Sequence, residues 1–339
     1  MSVPELSNPT PMDGEQLIAA SAAMRFVVQE ITRAAERPVH VLLSGEAGTG
    51  RQIIARAIHA HSKSNEGPFV IVDCARRAPA DLEAQLFATS GNRSGVERRS
   101  LERVRRSAQL LESKGGTLFL QNVVDLPARI QMRLIRVLRD GEVVLMDDGT
   151  RVELEHRIIT AADRSLDSAV QDGRMLADLH KRLCEFRVDV PALRDRREDI
   201  PDLATHLVRH LCERGNVPAK QLSHAAKSML AALPWRGNGD ELNRLLEVLV
   251  TRTTTHTIDL DDVLANVRLD GQATWFGVNG TLREARARFE SEYIAAVVAH
   301  HSGRIPEAAK TLGIQRSNLY RKMRHLRVRP NPRRPGRDS

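Results

Sequence analysis

The sequence predicts an α/β protein: a parallel sheet covered by helices, followed by two smaller all-helical parts. Three observations carry this. Short apolar runs alternate with amphipathic helical stretches from residue 15 to Val190, the pattern of a parallel sheet covered on both faces. Strand signals stop after Pro201. Basic charge collects at one end: Arg304–Ser339 holds eleven Lys/Arg against two acids, a net +9, so the rest of the chain sums to −1 of the total +8. A localised basic block is the electrostatic footprint of phosphate-backbone binding and hints at a nucleic-acid partner. By itself the block also fits a solvated basic tail.

The chain has 339 residues, 41% hydrophobic and 28% charged, the make-up of a globular protein of two or three domains. Its longest apolar runs, such as Val41–Leu43 and Leu118–Leu120, are too short to span a bilayer, so no membrane partner is expected. The N-terminus lacks the basic-then-apolar pattern of a secretory signal. Three widely spaced cysteines, Cys74, Cys184 and Cys212, give neither a disulfide framework nor a CxxC metal pair. A reducing cytoplasm and no metal site follow.

The elements read in order. Residues 1–14 are Pro- and Ser-containing and expected to be disordered. Apolar residues recur at helical spacing from Glu15 to about Ala35. Val39–Ser44 reads as a buried strand, Arg51–His61 as a helix, Phe69–Val72 as a strand and Pro79–Phe87 as a helix. Leu101–Ser113 reads as a helix, Thr117–Leu120 as a strand and Pro127–Leu138 as a helix. Glu142–Met146 and Arg151–Leu154, joined by Asp147–Thr150, read as a hairpin. Arg157–Ala161 and Glu185–Val190 complete the strands. Beyond Pro201 only helices are read: Leu203–Arg214, Ser223–Leu233, Gly239–Thr251 and Leu260–Val267. Asp270–Thr281, with three glycines, reads as a linker. Leu282–His301, Pro306–Leu312 and Gln315–Leu326 read as three further helices, before a Pro-rich basic tail.

The chemistry starts at Gly45-Glu46-Ala47-Gly48-Thr49-Gly50-Arg51-Gln52. This loop follows a strand and opens a helix, the context of a phosphate-binding GxxxxGK[ST] loop. Its glycines let backbone N–H groups turn inward, and the helix N-terminus adds partial positive charge. Arg51 stands at the Lys position and Gln52 at the Ser/Thr position; Arg is bulkier and forked, so the exchange is not conservative. The stretch also fits a glycine-rich turn without a ligand. A nucleotide hydrolase further needs carboxylates at the end of a neighbouring strand. After Gly115-Gly116-Thr117-Leu118-Phe119-Leu120 come Gln121 and Asn122. Neither amide can serve as a general base or bring negative charge to a metal. Asp125 is the nearest carboxylate beyond, and strand-end geometry points it elsewhere. The expectation is a nucleotide-shaped site with no catalytic residues, where ATP binding stays open and magnesium binding is weak or absent.

With these motifs in order, the chain resembles the bacterial enhancer-binding proteins, the sigma-54-dependent transcriptional activators, over roughly residues 15–327. LLSGEAGTGRQIIARAIHAHS resembles that family's phosphate loop and following helix, and GPFVIVDCA its second strand. GGTLFLQNV resembles its GGTLFLDEI strand, and LPARIQMRLIRVLRDGEV the helix after it. ADLHKRLCEFRVDVPALRDRREDIPDLA resembles its arginine-finger segment, and LPWRGNGDEL its lid motif WPGNVREL. The resemblance implies an AAA+ P-loop sheet domain at 15–200, a helical lid at 201–268 and a linker at 269–281. A Fis-type helix-turn-helix at 282–327 and a basic disordered tail at 328–339 would follow. No sensory segment is expected before residue 15.

Position by position, the resemblance fails where the family's function resides. The family's phosphate-loop Lys is Arg51, and its paired acids are Gln121 and Asn122. Its Asn that couples to the catalytic Glu is Asp73, and its Thr-Asn sensing pair is Ala162-Asp163. The first of its two arginine fingers is Leu176, while the second is retained as Arg182. Its lid arginine is Asp240, which reverses a charge. Its sigma-contacting GAFTGA loop corresponds to Gly91-Asn92-Arg93-Ser94-Gly95-Val96, with Arg93 at the aromatic position. The resemblance therefore argues against ATP hydrolysis and against contact with sigma-54.

At the C-terminal end, Ile305–Leu312 and Gln315–Leu326 resemble the two helices of the Fis-type motif, with the turn at Gly313. Gln315, Arg316, Ser317 and Asn318 lie at the N-terminal end of the recognition helix, which reads base edges in such motifs. Tyr320, Arg321, Lys322 and Arg324 suit phosphate contacts. The resemblance implies that Leu282–His301 pairs two copies; its apolar stripe also fits an intramolecular core. His59 and His61 do not share a helix face and form no metal pair. Cys184 is expected to be a packed thiol.

The expected function is that of a DNA-binding transcriptional regulator in the bacterial cytoplasm, acting by DNA occupancy. The AAA+ domain would be its nucleotide-sensing or oligomerisation scaffold. Two alternatives remain: a slow magnesium-dependent ATPase activator, and a subunit that lends Arg182 to an intact paralogue.

Overall fold

The computed structural model describes residues 17–75, 77–88, 101–163, 166–267, 294, 297–298, 304–312 and 314–325. The chain divides into two compact units, 1–267 and 268–339.

The first unit is built on a five-stranded parallel sheet of β1 (Val41–Ser44), β2 (Phe69–Asp73), β4 (Thr117–Gln121), β7 (Arg157–Ala162) and β8 (Phe186–Asp189), in the order β2-β4-β7-β1-β8. Alternation along the strands splits the core between two faces. Val41, Leu43 and Phe119 pack with Met24, Val27 and Ile31 of α1 (Ala22–Ala35) and Ile54 and Ile58 of α2 (Arg51–Ala60). Leu42, Leu118 and Leu120 pack on the other face with α3 (Pro79–Phe87) and α5 (Ala128–Asp140). β1 and β7 are buried throughout because helices cover both faces.

The helix read at Leu101–Ser113 is a correction. That stretch is a strand, β3 (Glu102–Val104), a turn, and one helical turn, α4 (Gln109–Glu112). β3 pairs in parallel with β5 (Glu142–Leu145), which forms the expected hairpin with β6 (Arg151–Glu153). The buried Glu102 misleads a local reading: its counter-charges, Arg133 and Arg136, come from α5. Arg133 also binds Glu83 of α3 at 2.8 Å and lies 3.8 Å over the Phe87 ring. Two short helices between β7 and β8, α6 (Leu166–Gln171) and α7 (Ala177–Leu183), are additions to the elements the sequence predicts.

α1 starts at Ala22, later than the pattern from Glu15 suggested. Ser21 caps it, accepting from Met24 N at 3.1 Å, while its own N–H and hydroxyl donate to Asp199 at 2.6 and 2.8 Å. The lid holds α8 (Ile200–Gly215), α9 (His224–Ala232), α10 (Asn238–Arg252) and α11 (Leu260–Asn266). It is not purely helical: β9 (Gln221–Leu222) and β10 (Thr257–Ile258) make a two-residue parallel pair. Such a clip is too short for period-2 patterning to reveal. Trp235 is buried in the lid and donates from Nε1 to Leu230 O at 2.7 Å.

In the second unit, α12 (Ile305–Thr311) and α13 (Arg316–His325) pack through Ile305, Ala308, Ala309, Leu319 and Met323 with Ile294 and Val298. Segments 1–14, 269–281 and 328–339 and Gly313 lie outside the described residues, as does Leu282–His301 apart from Ile294, Val297 and Val298. Among the described residues, no helix is long and apolar enough to cross a membrane.

Candidate functional site: a phosphate loop clamped by the lid

The phosphate loop leaves β1 with Gly45 N donating to Ala162 O at 3.0 Å, which fixes its root on the neighbouring strand. Gly48 and Gly50 have φ of 74° and 92°, the left-handed region that favours glycine. Gly48 is doubly required, since a Cβ there would lie 2.4 Å from Gly237 O. The Thr49 hydroxyl turns back to Glu46 O at 2.8 Å. The backbone N–H groups of Ala47, Gly48, Thr49 and Gly50 have no hydrogen-bond partner among the described residues. Successive inward N–H groups in a turn form an anion-binding concavity.

The lid is bolted to this loop. Gly239 N donates to Gly48 O at 2.8 Å, and the buried Asn238 donates to Ala47 O at 2.8 Å and Glu46 Oε2 at 3.1 Å. Asn238 Oδ1 accepts from Leu193 N at 2.8 Å. Glu46 receives a forked pair from Arg194 at 2.8 and 2.5 Å. Arg196 donates to Thr49 O at 2.7 Å. Sequence reasoning singled out none of Asn238, Arg194 and Arg196. They lie inside the WRGNGDEL and ALRDRRED segments, whose family likeness was the available signal.

A cavity of about 730 Å³ opens beside the loop, between sheet domain and lid. Leu17, Ile18, Ile53 and Leu207 supply apolar wall, and Arg196, His210 and Asn243 supply polar groups. This is the size and lining of a small-molecule site.

The charges around the loop differ from those of a hydrolase. Burial lowers the pKa of the Arg51 guanidinium, and the carboxylates of Asp163 and Asp240 act against that shift. Arg51 Nη1 is buried with no hydrogen-bond partner. Asp240 reaches over the loop: its carboxyl carbon lies 3.2 Å from where a Gly48 Cβ would be.

At the strand ends, Gln121 Nε2 donates to Gln52 Oε1 at 2.8 Å, and Asn122 Nδ2 donates to Asp73 Oδ1 at 2.9 Å. The first pair joins the two positions that present a hydroxyl and a carboxylate to magnesium in a working phosphate-loop enzyme. Amides offer a hard cation no charge. The second pair keeps an amide–carboxylate bond but places the carboxylate on β2. Asp73 Oδ1 is further held by Ala75 N at 3.1 Å. Asp125 is exposed in the turn after β4. No group of three metal-ligating side chains occurs among the described residues.

Arg182 projects from α7 with its side chain one-third exposed and Nε 3.2 Å from Asp178. Leu176 caps that helix, its N–H donating to Gln131 Oε1 at 2.8 Å. The segment Gly91–Val96, with Arg93, lies outside the described residues. His59 bonds Thr117 and His61 bonds Ala57 O, each on its own partner. Burial pushes the Cys184 thiol up to about 11, unlike a reactive nucleophile.

In the second unit, Gln315, Arg316, Ser317, Tyr320, Arg321 and Arg324 are exposed, and Asn318 and Lys322 are half-buried. Leu319 and Met323 turn inward. Arg321 donates to Asn318 Oδ1 at 3.0 Å, and Arg316 lies 5.8 Å from the Tyr320 ring centroid.

Comparison with known proteins bears on both units. The sigma-54 interaction domain matches residues 17–189, the AAA+ ATPase lid domain residues 194–274, and the bacterial regulatory protein Fis family residues 285–326. The chain belongs to the bacterial enhancer-binding protein family. It is 33% identical to the DNA-binding transcriptional regulator NtrC of Klebsiella pneumoniae, covering 91% of this chain and 70% of that protein. It is also 33% identical to the transcriptional regulatory protein ZraR of Escherichia coli K12, covering 91% and 68%. Crystal structures of NtrX from Brucella abortus, in complex with ADP and with ATP, superpose with TM-scores of 0.69 and 0.70 at 32% identity, covering 92% of this chain and 70% of theirs. The family carries a sigma-54 interaction domain, an AAA+ lid and a DNA-binding Fis-type helix-turn-helix, so this chain is a transcriptional-regulator-type protein.

Proposed function

We propose that this enhancer-binding-family member regulates transcription by occupying DNA in the bacterial cytoplasm, without hydrolysing ATP. The observation that carries the reading is the Gln52–Gln121 hydrogen bond at 2.8 Å, an amide pair at the two magnesium-holding positions. Asn122 adds to it, because an amide cannot take a proton from water at the position of the catalytic acid. Removing catalytic groups that act together costs several orders of magnitude in rate. The phosphate loop keeps its unpartnered N–H groups, which suits the AAA+ module to a role as a nucleotide-sensing or oligomerisation scaffold. Binding of ADP and ATP by NtrX supports nucleotide entry at this loop.

DNA is read by Gln315, Arg316, Ser317 and Asn318 and held through Tyr320, Arg321, Lys322 and Arg324, the polar side of α13. Two copies of the helix-turn-helix pair so that both recognition helices meet successive major grooves. Footprinting of the full chain on genomic fragments tests this: discrete protection supports it, and its absence at every fragment sinks it.

One observation favours a second reading. Arg182 is retained and reaches solvent, so it can act in trans on an intact paralogue's nucleotide. Coexpression with that paralogue, followed by comparison of wild type with Arg182→Ala for phosphate release, separates the two.

A further inference from the structure

We infer that the cavity beside the phosphate loop takes a nucleoside diphosphate without magnesium and rejects the triphosphate. This deepens the nucleotide-sensing reading above and rests on it.

Two features argue for a ligand. The four unpartnered N–H groups from Ala47 to Gly50 form the part of such loops that cradles the inner phosphates. Arg196, only 8% exposed, lines the cavity with its Nε unpartnered while its other end holds Thr49 O. A buried donor without a partner is costly, and a phosphate oxygen or ribose hydroxyl would satisfy it.

Two further features set the phosphate number. In phosphate loops the basic side chain at the Arg51 position reaches the outermost phosphates. Here that region already holds Asp163 and Asp240, both interacting with Arg51. The Arg51 charge is engaged by two carboxylates before any ligand arrives, so a γ-phosphate would have to compete with them for it. The metal that normally neutralises the outer oxygens has no site, because Gln52 and Gln121 bind each other. The inner-phosphate cradle is intact, while at the outer-phosphate position Arg51 already has the carboxylates of Asp163 and Asp240 as partners. Protein carboxylates occupy the electrostatic role of the γ-phosphate.

The test is calorimetric titration of the full chain with ADP and with ATP, each with magnesium and with EDTA, repeated on Asp240→Asn. Asp240 is exposed at the start of α10, so the substitution leaves the core untouched. The expected result is saturable ADP binding indifferent to magnesium, with ATP about tenfold or more weaker. Asp240→Asn should close most of that gap by tightening ATP while ADP changes little. Equal or tighter ATP binding overturns the inference, as does tightening of either nucleotide by magnesium, or a gap unchanged in Asp240→Asn. Failure of both nucleotides to bind also overturns it. DNA footprinting of the same preparation then shows separately whether regulation by DNA occupancy stands.

Discussion

Gln121 at the end of β4 and Gln52 in the first turn of α2 are hydrogen-bonded at 2.8 Å, closing the gap where a phosphate-loop enzyme keeps its metal. Each residue is an isolated loss when read along the chain. Together they form a contact in which one amide's donor satisfies the other's acceptor.

That contact has a stability consequence. Gln121→Ala leaves the Gln52 amide in a half-buried position without its partner, so we expect a loss of about 1 kcal/mol. Chemical denaturation should show a lower midpoint with an unchanged slope. Gln121→Asp should not restore ATP turnover, because Asn122 still stands at the position of the base.

The Arg133 network predicts a larger effect. Arg133 binds the buried Glu83 and Glu102 from a site that is itself nearly buried. Arg133→Ala leaves the buried Glu83 with only the more exposed Arg129 and Glu102 with only Arg136, and should cost about 3 kcal/mol. Arg129 touches the same Glu83 at 3.1 Å from a half-exposed position. Arg129→Ala should cost less than about 1 kcal/mol. Equal losses in the two variants would refute the assignment of Arg133 as the hub.

Stability should also depend on mild acid. Burial, reinforced by His40, holds His156 down to about 4. The unfolded chain takes up that proton near the ordinary value of 6.5, so the folded state binds fewer protons between the two. The contribution is complete above about 6.5, declines as pH falls, and is exhausted near 4; over that window it reaches up to about 3 kcal/mol. Denaturation midpoints measured from pH 7 to 4 should fall more steeply in the wild type than in His156→Gln.

The recognition helix predicts two kinds of DNA variant. Arg316→Ala should weaken binding by about 1–3 kcal/mol and relax preference at one base position. Arg324→Ala should weaken binding to all sequences alike and lower the salt slope by about one. Fluorescence anisotropy over a salt series, on a footprinted site and on random DNA, distinguishes them.

Much of the architecture was legible because the chemistry was local. β1 and β4 are apolar runs next to a glycine turn, and α5 carries its apolar stripe at regular spacing. Arg51, Gln52, Gln121 and Asn122 were readable as departures because their neighbours keep the family pattern. What escaped depended on distant partners. Glu102 reads as a helix-surface acid until Arg133 and Arg136 from α5 are seen beside it. Asn238 carries no signal of its own in the sequence, yet it holds Ala47 O and Glu46. The two strand-end pairs, Gln52–Gln121 and Asp73–Asn122, join residues far apart in sequence, and no spacing rule brings them together.

DNA occupancy without ATP turnover can be tested in a single preparation. The most direct measurement is phosphate release by the full chain with ATP and magnesium over a range of protein concentrations, on DNA that the same sample footprints. Protected DNA with phosphate release at the protein-free baseline is the expected result. Release that rises with protein concentration and disappears in Arg182→Ala would contradict it.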